Sequence, residues 1–197
     1  MIDKNIRENT TEESALGADR KQTFRKRLLS WLGYLAVFVA MLFFFAPESW
    51  WQFGVAPESE RKSSADFSLA SINGEEWNFG KQRGRVVVVN YWATWCAPCR
   101  AEMPGLVNAA NEYKDRGVEF VGVTMDENPA DAPPFVAKYE ISYPILLPES
   151  DPNIDAATAL PTTLLFDKRG RLAKKYTGIV LESTLKSDIE ILLSESS

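Results

Sequence analysis

The only two cysteines of this chain, Cys96 and Cys99, stand as Cys-Ala-Pro-Cys, and their flanks constrain the fold more than any other feature of the sequence. Four consecutive valines at 86–89 run into the pair, and an amphipathic stretch from about 98 to 116 runs out of it. A continuous β-branched run reads as a central strand buried on both faces. Met103, Leu106, Val107, Ala110 and Tyr113 recur at helical spacing. A buried strand therefore delivers the cysteines to the first turn of a helix, which is a way to build a reactive dithiol.

The thiolate is the nucleophile in disulfide exchange, and a free cysteine is only a few per cent thiolate at neutral pH. A helix N-terminus raises that fraction, because unpaired N–H groups point at the sulfur and the dipole favours negative charge. Pro98 suits an early helical position, since its missing N–H would have no partner there. Cys96 is expected as the exposed nucleophile and Cys99, one turn further in, as the resolving thiol. Two blander readings are a metal half-site and an inert staple. The chain has no histidine and no further cysteine to complete a metal site. A staple closing so short a loop removes little entropy from the unfolded chain.

The lack of histidine also excludes Ser-His and Cys-His catalysis. A net charge of −5 makes nucleic acid an unsuitable partner. No cofactor is expected.

Residues 1–27 are polar and read as a disordered cytoplasmic tail that ends in a basic cluster including Arg25, Lys26 and Arg27. Residues 28–46 carry no charge and would span roughly 28 Å as a helix, close to the hydrocarbon thickness of a bilayer. Trp31 and Tyr34 near one end, and Trp50 and Trp51 beyond the other, suit an aromatic belt. A buried core helix would be shorter or carry charge. A cleaved signal would need small residues where Phe44 and Phe45 stand. A retained transmembrane signal-anchor is the favoured reading, with the basic cluster keeping the N-terminus inside and the rest of the chain extracytoplasmic or periplasmic. Residues 47–65 read as a tether, and 66–197 as one domain with its own core.

Within that domain, short strands are expected at 67–69 and 76–79 around the turn Asn73-Gly74. A second strand at 118–124 follows Gly117, which closes the first helix. A helix at 131–139, an extended piece at 143–147 and a short helix at 153–158 come next. Strands at 164–167 and 172–176 join through Arg169-Gly170, and a helix at 181–193 closes the chain. This order implies an α/β fold with a central mixed β-sheet covered on both faces.

The run WATWCAPC after VVVVNY resembles the active-site strand and helix of the thioredoxin-like superfamily. Leu160-Pro161-Thr162-Thr163 before LLFDKRGRL resembles its cis-proline loop. With GVEFVGVTMDE and FVAKYEISYPILL in the right order, residues 66–193 resemble the TlpA/ResA-like branch of membrane-anchored thiol–disulfide oxidoreductases. The resemblance implies a thioredoxin-like fold, a redox-active Cys96/Cys99 disulfide, and a cis bond before Pro161; from the residues alone, a trans proline starting a strand is the preferred reading. It implies a client-binding surface at Trp95, Ala97, Pro98 and Leu160, with Trp92 in the core. Glu102 matches an acidic residue that tunes the thiols in that branch, although a glutamate early in a helix can also simply complement the dipole. Asn90 stands where cytoplasmic thioredoxins carry a buried aspartate. Ala93 stands where a peroxiredoxin has threonine, and the Pro-Glu-Thr loop of the DsbE branch is absent.

The activity implied is exchange of thiols and disulfides with disulfide-containing client proteins, in the direction of reduction, serving cytochrome c maturation or assembly of an oxidase metal site. The chain has no further cysteine to re-reduce the pair, so a membrane electron donor of the DsbD/CcdA kind is implied. The alternatives are an oxidant of exported proteins and a tethered factor that holds metal or client without turnover.

Overall fold

The computed structural model describes residues 54–149 and 151–196, together with Trp31, Gly33, Tyr34 and Val37. The chain divides into two units, 1–52 and 53–197. In the first unit the four described residues are helical, and Trp31, Tyr34 and Val37 are exposed. The expected tail, most of the expected anchor at 28–46, and Trp50 and Trp51 lie outside the described residues. Among the described residues no helix is long and apolar enough to cross a membrane.

The second unit is built on a six-stranded mixed sheet. Its strands are β1 (Lys62–Ser63), β4 (Val86–Trp92), β5 (Val118–Thr124), β6 (Ile145–Leu146), β7 (Thr162–Phe166) and β8 (Arg171–Thr177), in the order β1-β8-β7-β4-β5-β6. A separate hairpin joins β2 (Ser68–Ala70) to β3 (Glu76–Asn78). β4 runs parallel to β5 and antiparallel to β7, and all seven of its residues are buried. That central position is what the uninterrupted valine run anticipates.

Three helices follow the expected pattern: α1 (Ala97–Tyr113), α2 (Ala132–Tyr139) and α3 (Glu182–Ser194). Their buried residues share one core with Val86, Val88 and Trp92, and Phe135 of α2 stacks on Trp92 at 4.5 Å between ring centroids. The opposite face, formed by Val87, Val89, Tyr91, Val121, Val123, Leu164 and Phe166, is covered by Leu69, Trp77 and Phe79 of the hairpin region. Both faces are thus covered, but the helices supply only one cover. Gly105 lets α1 and α3 approach closely, since a Cβ there would lie 3.1 Å from the Glu182 Cβ. Gly117 ends the turn after α1 with a φ of 76°, a backbone region open to glycine.

Two expectations change in detail. Residues 153–158 form only a three-residue 3-10 turn, Ile154–Ala156, since Ile154 is the one large apolar residue among them and leaves no apolar face to pack a longer helix. Residues 54–65, expected as tether, are packed against the sheet. Ala56 N–H donates to Ala173 O, and β1 pairs antiparallel with β8. Arg61, with 1% side-chain exposure, bridges Asp167 at 3.1 Å and Glu195 at 2.6 Å. Within the polar composition that reads as a linker, Arg61 is buried in ion pairs, while Glu58–Glu60 and Lys62–Ser63 are exposed.

Candidate active site

β4 ends at Trp92 and the chain turns through 93–96 into α1. Cys96 is the N-cap of α1, and its sulfur accepts a hydrogen bond from Cys99 N–H at 3.2 Å. Pro98 occupies the first turn, where no N–H is needed. Cys96 and Cys99 are joined as a disulfide. The N-cap bond that now reaches the Cys96 sulfur is one that would favour a thiolate at the same place.

Cys96 is 4% exposed and Cys99 fully buried. Cys96, read from the sequence as the exposed thiol, is thus buried in the disulfide form, as Cys99 is. Its sequence neighbours supply the surface instead: Trp95 is 66% exposed, and Ala97 and Pro98 are exposed. Trp92 is buried.

The Leu160–Pro161 bond is cis. The register of β4 with β7 pairs Tyr91 with Thr162, which brings Pro161 to the end of the sheet where the cysteine turn begins. Pro161 is buried and Leu160 is half-buried. The Pro161 carbonyl accepts from Gly178 N–H at 2.8 Å, so the loop after β8 joins the same end. That loop exposes Ile179 and Leu181. Neither stood out in the sequence, because two apolar residues before a helix look like the start of its buried face.

Glu102 is 4% exposed and lies between α1 and the sheet. It is not a solvated first-turn acid. Its Oε1 accepts from Asn90 Nδ2 at 2.9 Å and its Oε2 from Val180 N–H at 3.0 Å. Burial raises the Glu102 carboxyl above its ordinary range, while the bonds from Val180 and Asn90 oppose that rise. Asn90 also donates to Thr163 Oγ1 at 3.0 Å, across a directly paired position of the sheet. The Asn90 Oδ1 is buried without a partner. A carboxylate therefore sits beside the strand position that holds asparagine, supplied by the helix in place of the strand. Tyr143 donates its hydroxyl to Met103 Sδ at 3.4 Å, and burial, then the nearby Glu102 charge, pushes that hydroxyl to higher pKa.

Among the described residues no group of three or more metal-ligating side chains gathers. The arrangement can perform dithiol–disulfide exchange: two sulfurs in bonding reach, a helix N-terminus at the outer one, and a buried carboxyl on the same helix.

The model of the AhpC/TSA family matches residues 61–187. The ResA thiol-disulfide oxidoreductase of Halalkalibacterium halodurans is 31% identical over 183 residues, covering 90% of this chain and 99% of that relative. That of Bacillus subtilis is 31% identical over 136 residues, covering 68% of this chain and 76% of the relative. The crystal structure of a secreted thiol-disulfide isomerase from Corynebacterium glutamicum superposes with a TM-score of 0.65 at 26% identity, covering 72% of this chain and 91% of that one.

Proposed function

The chain belongs to the AhpC/TSA family and, within it, is a ResA-like thiol–disulfide oxidoreductase; from that premise we propose that it reduces the disulfides of client proteins on the outer face of a membrane. The observation that carries the reading is the Cys96–Cys99 disulfide at the N-cap of α1. In the reduced enzyme, Cys96 thiolate attacks one sulfur of a client disulfide and the other client sulfur leaves as a thiolate. Cys99 then loses its proton, with Glu102 as the receiving group, and attacks the Cys96 sulfur of the mixed disulfide. The second client thiolate departs and Cys96–Cys99 closes. Two electrons pass from enzyme to client, and each client sulfur takes up one proton.

Support for the client surface comes from exposed Trp95, Ala97 and Pro98 beside the disulfide, with Leu160 and Pro161 at the same end of the sheet. Ile179 and Leu181 extend it. The peroxidase chemistry of other members of the family is not part of the proposal, since Ala93 lacks the hydroxyl found at that position in peroxiredoxins. The uncharged stretch 28–46 supports a single membrane anchor with the N-terminus inside and the catalytic domain extracytoplasmic. Re-reduction then falls to a membrane thiol donor of the DsbD/CcdA kind, and the clients are apocytochromes c or the metal-site cysteines of an oxidase.

The deciding experiment places Cys96→Ser and Cys99→Ser in membranes. Cys96→Ser abolishes disulfide reduction, and Cys99→Ser accumulates a mixed disulfide with the client. Reductase activity retained by Cys96→Ser would sink the mechanism. A redox potential near about −120 mV, in place of one near about −270 mV, would reverse the direction of flow while leaving exchange intact.

A further inference from the structure

Opening the disulfide removes the cross-link on Cys96, and what holds its position afterwards is the helix it caps, where Arg100 N–H donates to Cys96 O at 3.2 Å, and the turn before it. That turn is braced from outside α1. Asp126, in the segment after β5, is 8% exposed and accepts from Thr94 N–H at 3.0 and 3.2 Å through its two oxygens. It also accepts from the Thr94 hydroxyl at 2.8 Å and from the Thr124 hydroxyl at 2.9 Å. At the other end of the same residue, Arg100 Nη1 donates to Thr94 O at 2.9 Å. Cys96 N–H donates to Ala93 O at 3.1 Å, closing the turn over the braced residue. Every polar group of Thr94 is therefore engaged by a charged side chain from another element or from the first turn of α1. Buried carboxylates with several donors hold their partners more firmly than neutral acceptors do.

We infer that Asp126 is a positioning residue of the dithiol: it acts through Thr94 to hold the turn that carries Cys96 in one geometry when the disulfide is open. The inference rests on the exchange reading above and adds a residue that touches neither sulfur nor client. A held turn keeps the two thiols facing each other, which favours closing the ring. A released turn gives the reduced form conformational freedom and disfavours closure. Loss of the brace therefore makes the pair easier to reduce and slower to resolve a mixed disulfide.

The test is redox equilibration of purified protein with glutathione, read by alkylation of free thiols, for Asp126→Ala, Thr94→Val and the double variant. Asp126→Ala is expected to lower the equilibrium constant for disulfide closure about tenfold, equivalent to about 30 mV. Thr94→Val, which keeps the Asp126 charge and loses only the hydroxyl bond, is expected to lower it about threefold, a smaller share of the same effect. The Asp126 substitution is expected to do less in the Thr94→Val background than alone. Constants within twofold of the wild type, in variants whose folding is confirmed by circular dichroism, would reduce Asp126 to a structural residue and overturn the inference. So would an Asp126 effect of undiminished size in the Thr94→Val background. If Asp126→Ala does not fold, Thr94→Val alone decides by the same criterion. A wild-type protein that cannot cycle between dithiol and disulfide would instead overturn the exchange reading, and this inference with it.

Discussion

Asn90 on β4 donates its side-chain amide to Glu102 on α1 at 2.9 Å, joining the centre of the sheet to the helix that carries both cysteines. The pair places a buried carboxyl under the active-site helix, held in its charged form by two donors and pushed toward its neutral form by burial.

The sign of the resulting pH dependence follows from that balance. Burial raises the folded carboxyl above its ordinary value of 4.5, so between that value and the raised one the native state holds the extra proton. Stability therefore falls as pH rises through this window. Glu102→Gln keeps the shape, and the free Asn90 Oδ1 can accept from the new amide after the Asn90 side chain turns over. Urea denaturation across pH is expected to show the wild type losing stability relative to Glu102→Gln above about pH 4.5. Parallel curves would contradict a raised carboxyl. Client reduction by Glu102→Gln is expected to slow by roughly 100-fold if Glu102 takes the Cys99 proton.

Trp95 is 66% exposed, so truncation removes little buried surface. Trp95→Ala is expected to change stability by less than about 0.5 kcal/mol. Its effect is expected in client recognition, as a raised KM for a protein disulfide with little change for a small one. Equal loss with both substrates would remove Trp95 from the client surface.

Arg61 is buried between Asp167 and Glu195, and Arg171 also binds Asp167 at 2.7 Å. Burial pushes the Asp167 carboxyl up, but hydrogen bonds from Arg171 N–H, Arg61 and the Arg171 guanidinium overcome it and leave the value lowered. The stability this supplies is present above the ordinary value of 3.8 and is lost as pH falls through the folded one. Arg61→Met, which strands part of that charge, is expected to cost about 3 kcal/mol in urea denaturation. A chain beginning at Asp66 is expected to be less stable than one beginning at Phe53, and equal midpoints would show that the segment does not contribute.

Gly122 sits under Trp92: a Cβ there would come 2.7 Å from Trp92 Nε1 and 2.8 Å from Ile145 Cδ1. Gly122→Ala is expected to cost about 2 kcal/mol by forcing Trp92 from its place, with a change in near-ultraviolet circular dichroism. An unchanged spectrum and midpoint would mean that the core yields without moving the tryptophan.

Much of the fold was readable because its signals are local. The valine run marked β4, helical spacing marked α1, Gly117 marked the end of its closing turn, and the Cys-x-x-Cys spacing put both sulfurs on one helical turn. The weak places were those with little local pattern. β1 is two residues long and lies in a polar segment, and residues 153–158 have no apolar face.

The sequence by itself therefore determined which strand is central, which helix carries the dithiol and which chemistry two cysteines without histidine can perform. Tertiary structure alone decided the company those sulfurs keep. Glu102 meets Asn90 and Val180, and Asn90 in turn meets Thr163, residues carried by four different segments. Thr94 meets Asp126 across 32 residues, and Arg61 meets Asp167 across 106. Periodicity and spacing act within a few residues, whereas these meetings depend on sheet register and helix docking, and a one-residue slip in register would turn Asn90 to the opposite face.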